Sequence, residues 1–185
     1  MEISKWFISD DGWLQSSRSC PSPFFNQRPN GEISLLVVHG ISLPPGLFGG
    51  PYIDQLFTGA LNPQEHPYFS EIAHLQVSAH CLIRRDGEVV QYVSFLDRAW
   101  HAGKSEFDER ENCNDFSIGI ELEGTDESPY TESQYQQLAD ISRAILQKYP
   151  AITESRITGH SEIAPGRKTD PGQSFDWMLY RRLLG

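Results

Sequence analysis

The chain has 185 residues, 38% apolar and 11% aromatic, which is enough to bury one substantial core and too few for two comfortable domains. Its net charge of −10 disfavours phosphate backbones and anionic lipid, so neither a nucleic acid nor a membrane is expected as a partner. No run approaches the ~20 apolar residues that a membrane span requires.

The chain begins MEISKWFISDDGWLQ, which lacks the basic start and apolar run of a secretory leader, so a cytoplasmic location is expected. Residues 1–31, with Pro21, Pro23 and Pro29, read as an irregular arm packed on a domain spanning 32–185. SLLVVHG, 34–40, is a β-branched run stopped by glycine and predicts a buried central strand. A Pro/Gly loop follows over 41–51, then a short helix over 52–57 and another near Glu71–Leu75.

AHCLIRRDGEVVQYV, 79–93, has two apolar runs around Asp86-Gly87 and predicts a hairpin. FSIGIELEG, 116–124, alternates, placing Gly119, Glu121 and Glu123 opposite Ile118, Ile120 and Leu122. TESQYQQLADISRAILQKYP predicts the longest helix, capped by Thr131 with Gln134 and stopped at Pro150. Its stripe is Tyr135, Leu138, Ile141, Ile145 and Tyr149. A strand over Ser155–Thr158 and a helix over Asp176–Leu184 complete an α/β fold: one mixed sheet with helices against it.

Of six histidines, two are distinguished by position: His39 ends the buried strand, and His160 opens the loop HSEIAPGRKTDPG. Strand ends with adjoining loops are where sheet proteins display reactive groups. Two imidazoles and the carboxylate of Asp170 on a zinc ion leave a fourth position open for water. Asp170 paired with Arg167 or Lys168 in a solvated turn is an equally good reading of the spacing. Glu121 and Glu123 both suit a general base, and both suit an ordinary solvent-facing strand position. Lys168 suits an oxyanion partner or a solubilising lysine. Trp100 suits a sugar-stacking ring or a core residue.

The cysteines, Cys20, Cys81 and Cys113, are odd in number and lack Cys-x-x-Cys spacing, so no disulfide framework is expected. His80 and Cys81 are adjacent in a strand and point to opposite faces, which rules out a thiol–imidazole dyad.

The segments LLVVHGISLPPGLFGGPYIDQLFTG, VSAHCLIRRDGEVVQYV, RAWHAG, NDFSIGIELEGTD and TGHSEIAPGRKTDPG resemble the AmpD-type amidases, the 1,6-anhydro-N-acetylmuramyl-L-alanine amidases. The resemblance runs from about Gly12 to the C-terminal helix. It implies the fold shared with phage-lysozyme-type amidases and peptidoglycan recognition proteins. It also implies one zinc ion held by His39, His160 and Asp170, with Glu121 as the catalytic glutamate and Lys168 as the transition-state stabiliser. Trp100 and Ala164 are the candidate substrate contacts. A monomer is expected. The implied reaction is hydrolysis of the lactyl–L-Ala amide of anhydro-muropeptides, a small-molecule substrate, in cytoplasmic cell-wall recycling. In many bacteria this also lowers the signal that induces a chromosomal β-lactamase. The chain departs from the family at Gly40, Gln76 and Asn112, where Asn, Arg and Arg are usual. The competing expectations are a non-catalytic muropeptide-binding module on the same fold and an amidase acting on polymeric wall outside the cytoplasm.

Overall fold

A computed structural model describes residues 6–185, so the first five residues of the expected arm lie outside the described part. The rest of the arm supplies two short strands, β1 (Arg18–Ser19) and β2 (Phe25–Gln27), while Trp6, Ile8 and Leu14 join the main core. Arg28 anchors it from within. Its buried guanidinium donates to the carbonyls of Phe95 at 3.1 Å, Asn114 at 3.2 Å and Ser117 at 2.8 Å. Burial pushes its pKa down to about 10, with Tyr149 and Asp97 pulling the other way.

Then come β3 (Leu35–Ile41), α1 (Tyr52–Thr58), α2 (Phe69–Ile72), β4 (Cys81–Ile83), β5 (Val89–Gln91) and β6 (Asp97–Ala99). A small hairpin of β7 (Glu106–Phe107) and β8 (Arg110–Glu111) leads into β9 (Ser117–Glu123), α3 (Glu132–Lys148), β10 (Ile157–Gly159), α4 (His160–Ile163) and α5 (Trp177–Leu184). The main sheet is mixed, in the order β1-β5-β4-β9-β3-β10. Its centre, β4-β9-β3-β10, is parallel, and β5 returns antiparallel to β4 as the predicted hairpin.

The elements sit close to where the residue pattern puts them. The helix expected at Glu71–Leu75 starts earlier, at Phe69, whose fully buried ring anchors it. The last strand begins at Ile157, because Glu154–Arg156 forms a 3-10 turn first. α3 begins with the expected reciprocal cap. Thr131 Oγ1 accepts from the Gln134 N–H at 3.2 Å, and Gln134 Oε1 accepts from the Thr131 N–H at 3.0 Å, an arrangement worth about 1 kcal/mol. Leu138, Ile141 and Ile145 of α3 are fully buried on one face of the sheet, each contributing about 1.5–3 kcal/mol by burial. Cys20, Cys81 and Cys113 are all free thiols, and Cys81 lies in this core. Among the described residues no helix is long and apolar enough to cross a membrane.

The opposite face is covered in two patches. α1, α2 and the following segment cover Leu82 and Val90 at one end, and Ala102, Cys113, Phe116 and Ile163 cover Leu35 and Val37 at the other. β9 is therefore buried along its whole length, and the solvent-facing reading of its glutamates does not hold: Glu121 is 8% exposed and Glu123 2%. Between the two patches the sheet face opens as a cleft.

His80 ties the centre together. Its Nδ1 accepts from the Gly119 N–H at 3.0 Å, so its Nε2–H donates to the Asp97 carbonyl at 3.0 Å. Burial, with the Arg28 charge adding to it, pushes its pKa down to about 3. The unfolded chain takes up this proton near pH 6.5 and the folded one does not, so stability falls with pH across that window. Between pH 7 and pH 5 this one group should remove about 2 kcal/mol. Denaturant unfolding of metal-free protein at the two pH values should show that extra loss in the parent and not in His80→Gln. Equal losses in both would contradict it.

Candidate functional site

The site is built by strand register. On β3 the side chains of Leu35, Val37 and His39 share one face, and the pairing with β9 sets Val37 beside Gly119 and His39 beside Glu121. On the other side of β3, β10 runs parallel and sets Gly159 beside Val38, so the next residue, His160 at the start of α4, emerges next to His39. The loop then returns, and the Asp170 carbonyl accepts from the Ser161 N–H at 2.9 Å, bringing the Asp170 carboxylate to the two imidazoles.

The three donor atoms converge. His39 Nδ1 and His160 Nδ1 lie 3.0 Å apart, and Asp170 Oδ2 is 3.3 Å from the first and 3.1 Å from the second. A tetrahedral zinc ion with bonds of about 2.0–2.1 Å separates its ligand atoms by about 3.3 Å. Two nitrogen donors and one carboxylate oxygen at this spacing fit such an ion. The remaining nitrogens are occupied from behind: His160 Nε2 faces the Ala102 carbonyl at 3.2 Å, and His39 Nε2 faces His101 Nδ1 at 2.8 Å. Burial lowers the His39 pKa to about 4 and takes that of His101 well below its usual value, favouring the neutral rings that metal ligation needs. Burial alone would raise Asp170, but its hydrogen bonds with His160 and His39 outweigh that and hold it well below the carboxylate range.

Glu121 and Glu123 have separate fates. Glu123 is spent on structure: it accepts from the Gly49 N–H at 2.6 Å and the Arg85 N–H at 3.2 Å. Glu121 points into the cleft, and its Oε2 is buried with no hydrogen-bond partner among the described residues. Burial first, and then the Asp170 charge, push its carboxyl well above the usual range, while Lys168 pulls the other way. An unpaired buried carboxyl oxygen costs stability, and such costs are characteristic of reactive positions.

The cleft has a volume of about 630 Å³ and is lined by His160, Asp170, Glu121, Lys168, Trp100 and His101 together with an apolar wall that includes Leu43 and Tyr68. Lys168 is exposed at its rim. Trp100 is half-buried, with its Nε1–H donating to Asn26 Oδ1 at 2.7 Å and its ring stacked near Phe24. Ala164 does not line this cleft. It lines an adjoining cavity of about 560 Å³ with Asn112, and Arg167 borders both. Gln76 is exposed and lines neither. Gly40 leaves the room that the Tyr130 hydroxyl occupies as it donates to the Pro171 carbonyl at 2.7 Å, next to Asp170.

His101 and Tyr130 are absent from the sequence-derived candidates. His101 sits in an irregular loop, where no periodicity assigns it a direction. Tyr130 precedes a helix cap and carries no motif of its own.

Comparison with known proteins fits this geometry. A model of the N-acetylmuramoyl-L-alanine amidase family matches residues 29–173. The 1,6-anhydro-N-acetylmuramyl-L-alanine amidase AmpD of Citrobacter freundii is 64% identical over 178 residues, covering 96% of this chain and 95% of that protein. The crystal structure of a selenomethionine AmpD derivative superposes with a TM-score of 0.94 at 62% identity, covering 97% of this chain and 100% of the other. The Escherichia coli amidase AmiD, in complex with anhydro-N-acetylmuramic acid-L-Ala-D-γ-Glu-L-Lys, superposes with a TM-score of 0.60 at 25% identity, over 95% of this chain and 65% of that one.

If the three converging donors form one site, equilibrium dialysis should find one zinc ion per chain. His160→Ala and Asp170→Ala should each weaken binding by more than about a hundredfold. Undiminished zinc content in either variant would show that the ion, if present, lies elsewhere.

Proposed function

This chain belongs to the N-acetylmuramoyl-L-alanine amidase family, and from that membership and the cleft geometry we propose that it is a zinc-dependent amidase. It hydrolyses the lactyl–L-Ala amide of anhydro-N-acetylmuramyl peptides, as a cytoplasmic step in peptidoglycan recycling. By removing such peptides it also lowers a signal for β-lactamase induction where one operates. The supporting observation is the convergence of three donors, two of which, His160 and Asp170, line the same cleft as Glu121, whose Oε2 is buried and unpaired among the described residues. The names of the relatives, and the anhydro-muropeptide bound to AmiD, support the choice of substrate.

His39, His160 and Asp170 hold the ion. When bound, zinc supplies Lewis acidity to the amide carbonyl and eases deprotonation of water. Glu121 accepts a proton from the attacking water as the water oxygen bonds to the carbonyl carbon. It then delivers that proton to the L-Ala nitrogen as the C–N bond breaks. Its burial gives it the raised proton affinity that a base working near neutral pH needs. The Lys168 ammonium at the rim adds positive charge for the developing oxyanion. The Trp100 ring offers an apolar face to the sugar, and the cavity lined by Ala164, which shares Arg167 with the cleft, offers room for a further part of the substrate.

Incubation with purified anhydro-muropeptide and mass analysis of the products tests this. The parent should release free stem peptide, and prolonged chelation should abolish release. Glu121→Gln should lower kcat by about 10²–10⁴-fold while keeping its zinc. A parent that returns the substrate intact would be a binding module on the same fold. A Glu121→Gln variant with near-parental kcat would remove Glu121 as the base.

A further inference from the structure

His39 and His160 present equivalent nitrogens to the candidate metal position but are supported in different ways. His160 Nε2 lies 3.2 Å from the Ala102 carbonyl, which can only accept. That contact alone fixes the His160 proton on Nε2 and leaves Nδ1 with its lone pair. Among the described residues, no carbonyl or carboxylate is hydrogen-bonded to His39 Nε2. Its neighbour is another imidazole, His101 Nδ1, at 2.8 Å, and His101 Nε2 in turn lies 3.0 Å from Ser117 Oγ. A neutral imidazole has one N–H and one lone pair, so it can either accept from His39 or donate to it. If it donated, the His39 proton would sit on Nδ1, where the ion belongs. If it accepts, His39 carries its proton on Nε2, and His101 Nε2–H is left to donate to the Ser117 hydroxyl oxygen.

The fold makes specific room for this second ring. His101 lies against Gly119 of β9, where an added Cβ would come within 2.5 Å of ring atoms. The ring meets that of His39 edge to face, with centroids 4.9 Å apart. The loop is held by the Asn114 side chain, whose Oδ1 accepts from the N–H groups of His101 at 3.1 Å and Ala102 at 2.8 Å. One asparagine therefore sets both supports, the His101 ring behind His39 and the Ala102 carbonyl behind His160.

We propose that His101 is a positioning residue for the metal centre: with Ser117 at its far end and Gly119 beneath it, it fixes the His39 proton on Nε2 and aims Nδ1 at the ion. The inference rests on the zinc reading above and needs no step of the amide chemistry.

Zinc affinity of the full-length, metal-stripped protein, measured by competition with a chromogenic chelator, tests it independently of activity. His101→Phe keeps a planar ring and removes the acceptor, and should weaken zinc by about 10–100-fold. His101→Gln, whose amide oxygen can accept and whose amide NH₂ can donate, should restore affinity to within about threefold of the parent. Ser117→Ala should have a smaller effect in the same direction. Thermal unfolding of each metal-free variant checks that the fold is kept. Long-range proton–nitrogen NMR on the zinc-loaded parent should find the His101 proton on Nε2. That readout decides the matter even if His101→Phe does not fold.

Parental affinity in His101→Phe, equal weakening in His101→Gln and His101→Phe, or a His101 proton on Nδ1 would each overturn the proposal. A parent that binds no zinc would overturn the metal reading itself, which is a different failure from a parent that binds and a His101→Phe variant that binds equally well.

Discussion

The parallel pairing of β3 with β9, in the register that sets His39 beside Glu121, is the constraint on which the site depends. Strand side chains alternate, so a slip of β3 by one residue would turn His39 away from Glu121 to the α3 face. Burial prevents that slip. Leu36 and Val38 pack with α3 and α5, and Leu35 and Val37 pack with the loop side, so both faces of β3 are specified by apolar contacts. The same pairing places Gly119 where the His101 ring needs room. One backbone register therefore fixes a candidate ligand, a candidate base and the space for a supporting ring.

The cleft follows from incomplete coverage of one sheet face. α1 and α2 close one end and the 102–116 segment with α4 closes the other, and the polar residues Glu121, His160 and Asp170 line the opening between them. Burying these groups is costly, and the molecule offsets the cost unevenly. Asp170 is paired with two imidazoles, and His160 has a carbonyl behind it. One oxygen of Glu121 has no hydrogen-bond partner among the described residues. That asymmetry separates groups suited to holding an ion from a group suited to moving a proton.

Much of this was legible in the residues. The β-branched run ending in His39, the hairpin around Asp86-Gly87 and the capped stripe of α3 each follow a local rule, and each element formed. Convergence of His39, His160 and Asp170 was implied by family resemblance, whereas spacing alone left Asp170 equally at home in a solvated turn. Alternation could not separate Glu121 from Glu123, because both share a face. Their difference comes from distant partners, the Gly49 and Arg85 amides, that only the folded chain brings to Glu123. Burial of β9 was missed for a related reason: its glutamates look solvent-facing until loops from elsewhere cover them. His101 was illegible because its role depends on a ring meeting a strand glycine across 18 residues of chain, and no periodicity encodes that contact.

The most direct test of the shared cation is X-ray absorption at the zinc edge of the zinc-loaded protein. The expected spectrum has two imidazole nitrogens and oxygen donors at about 2.0–2.1 Å, with no sulfur. A shell near about 2.3 Å, which marks thiolate ligation, or an imidazole-free shell of oxygens alone, would contradict convergence of His39, His160 and Asp170 on one ion.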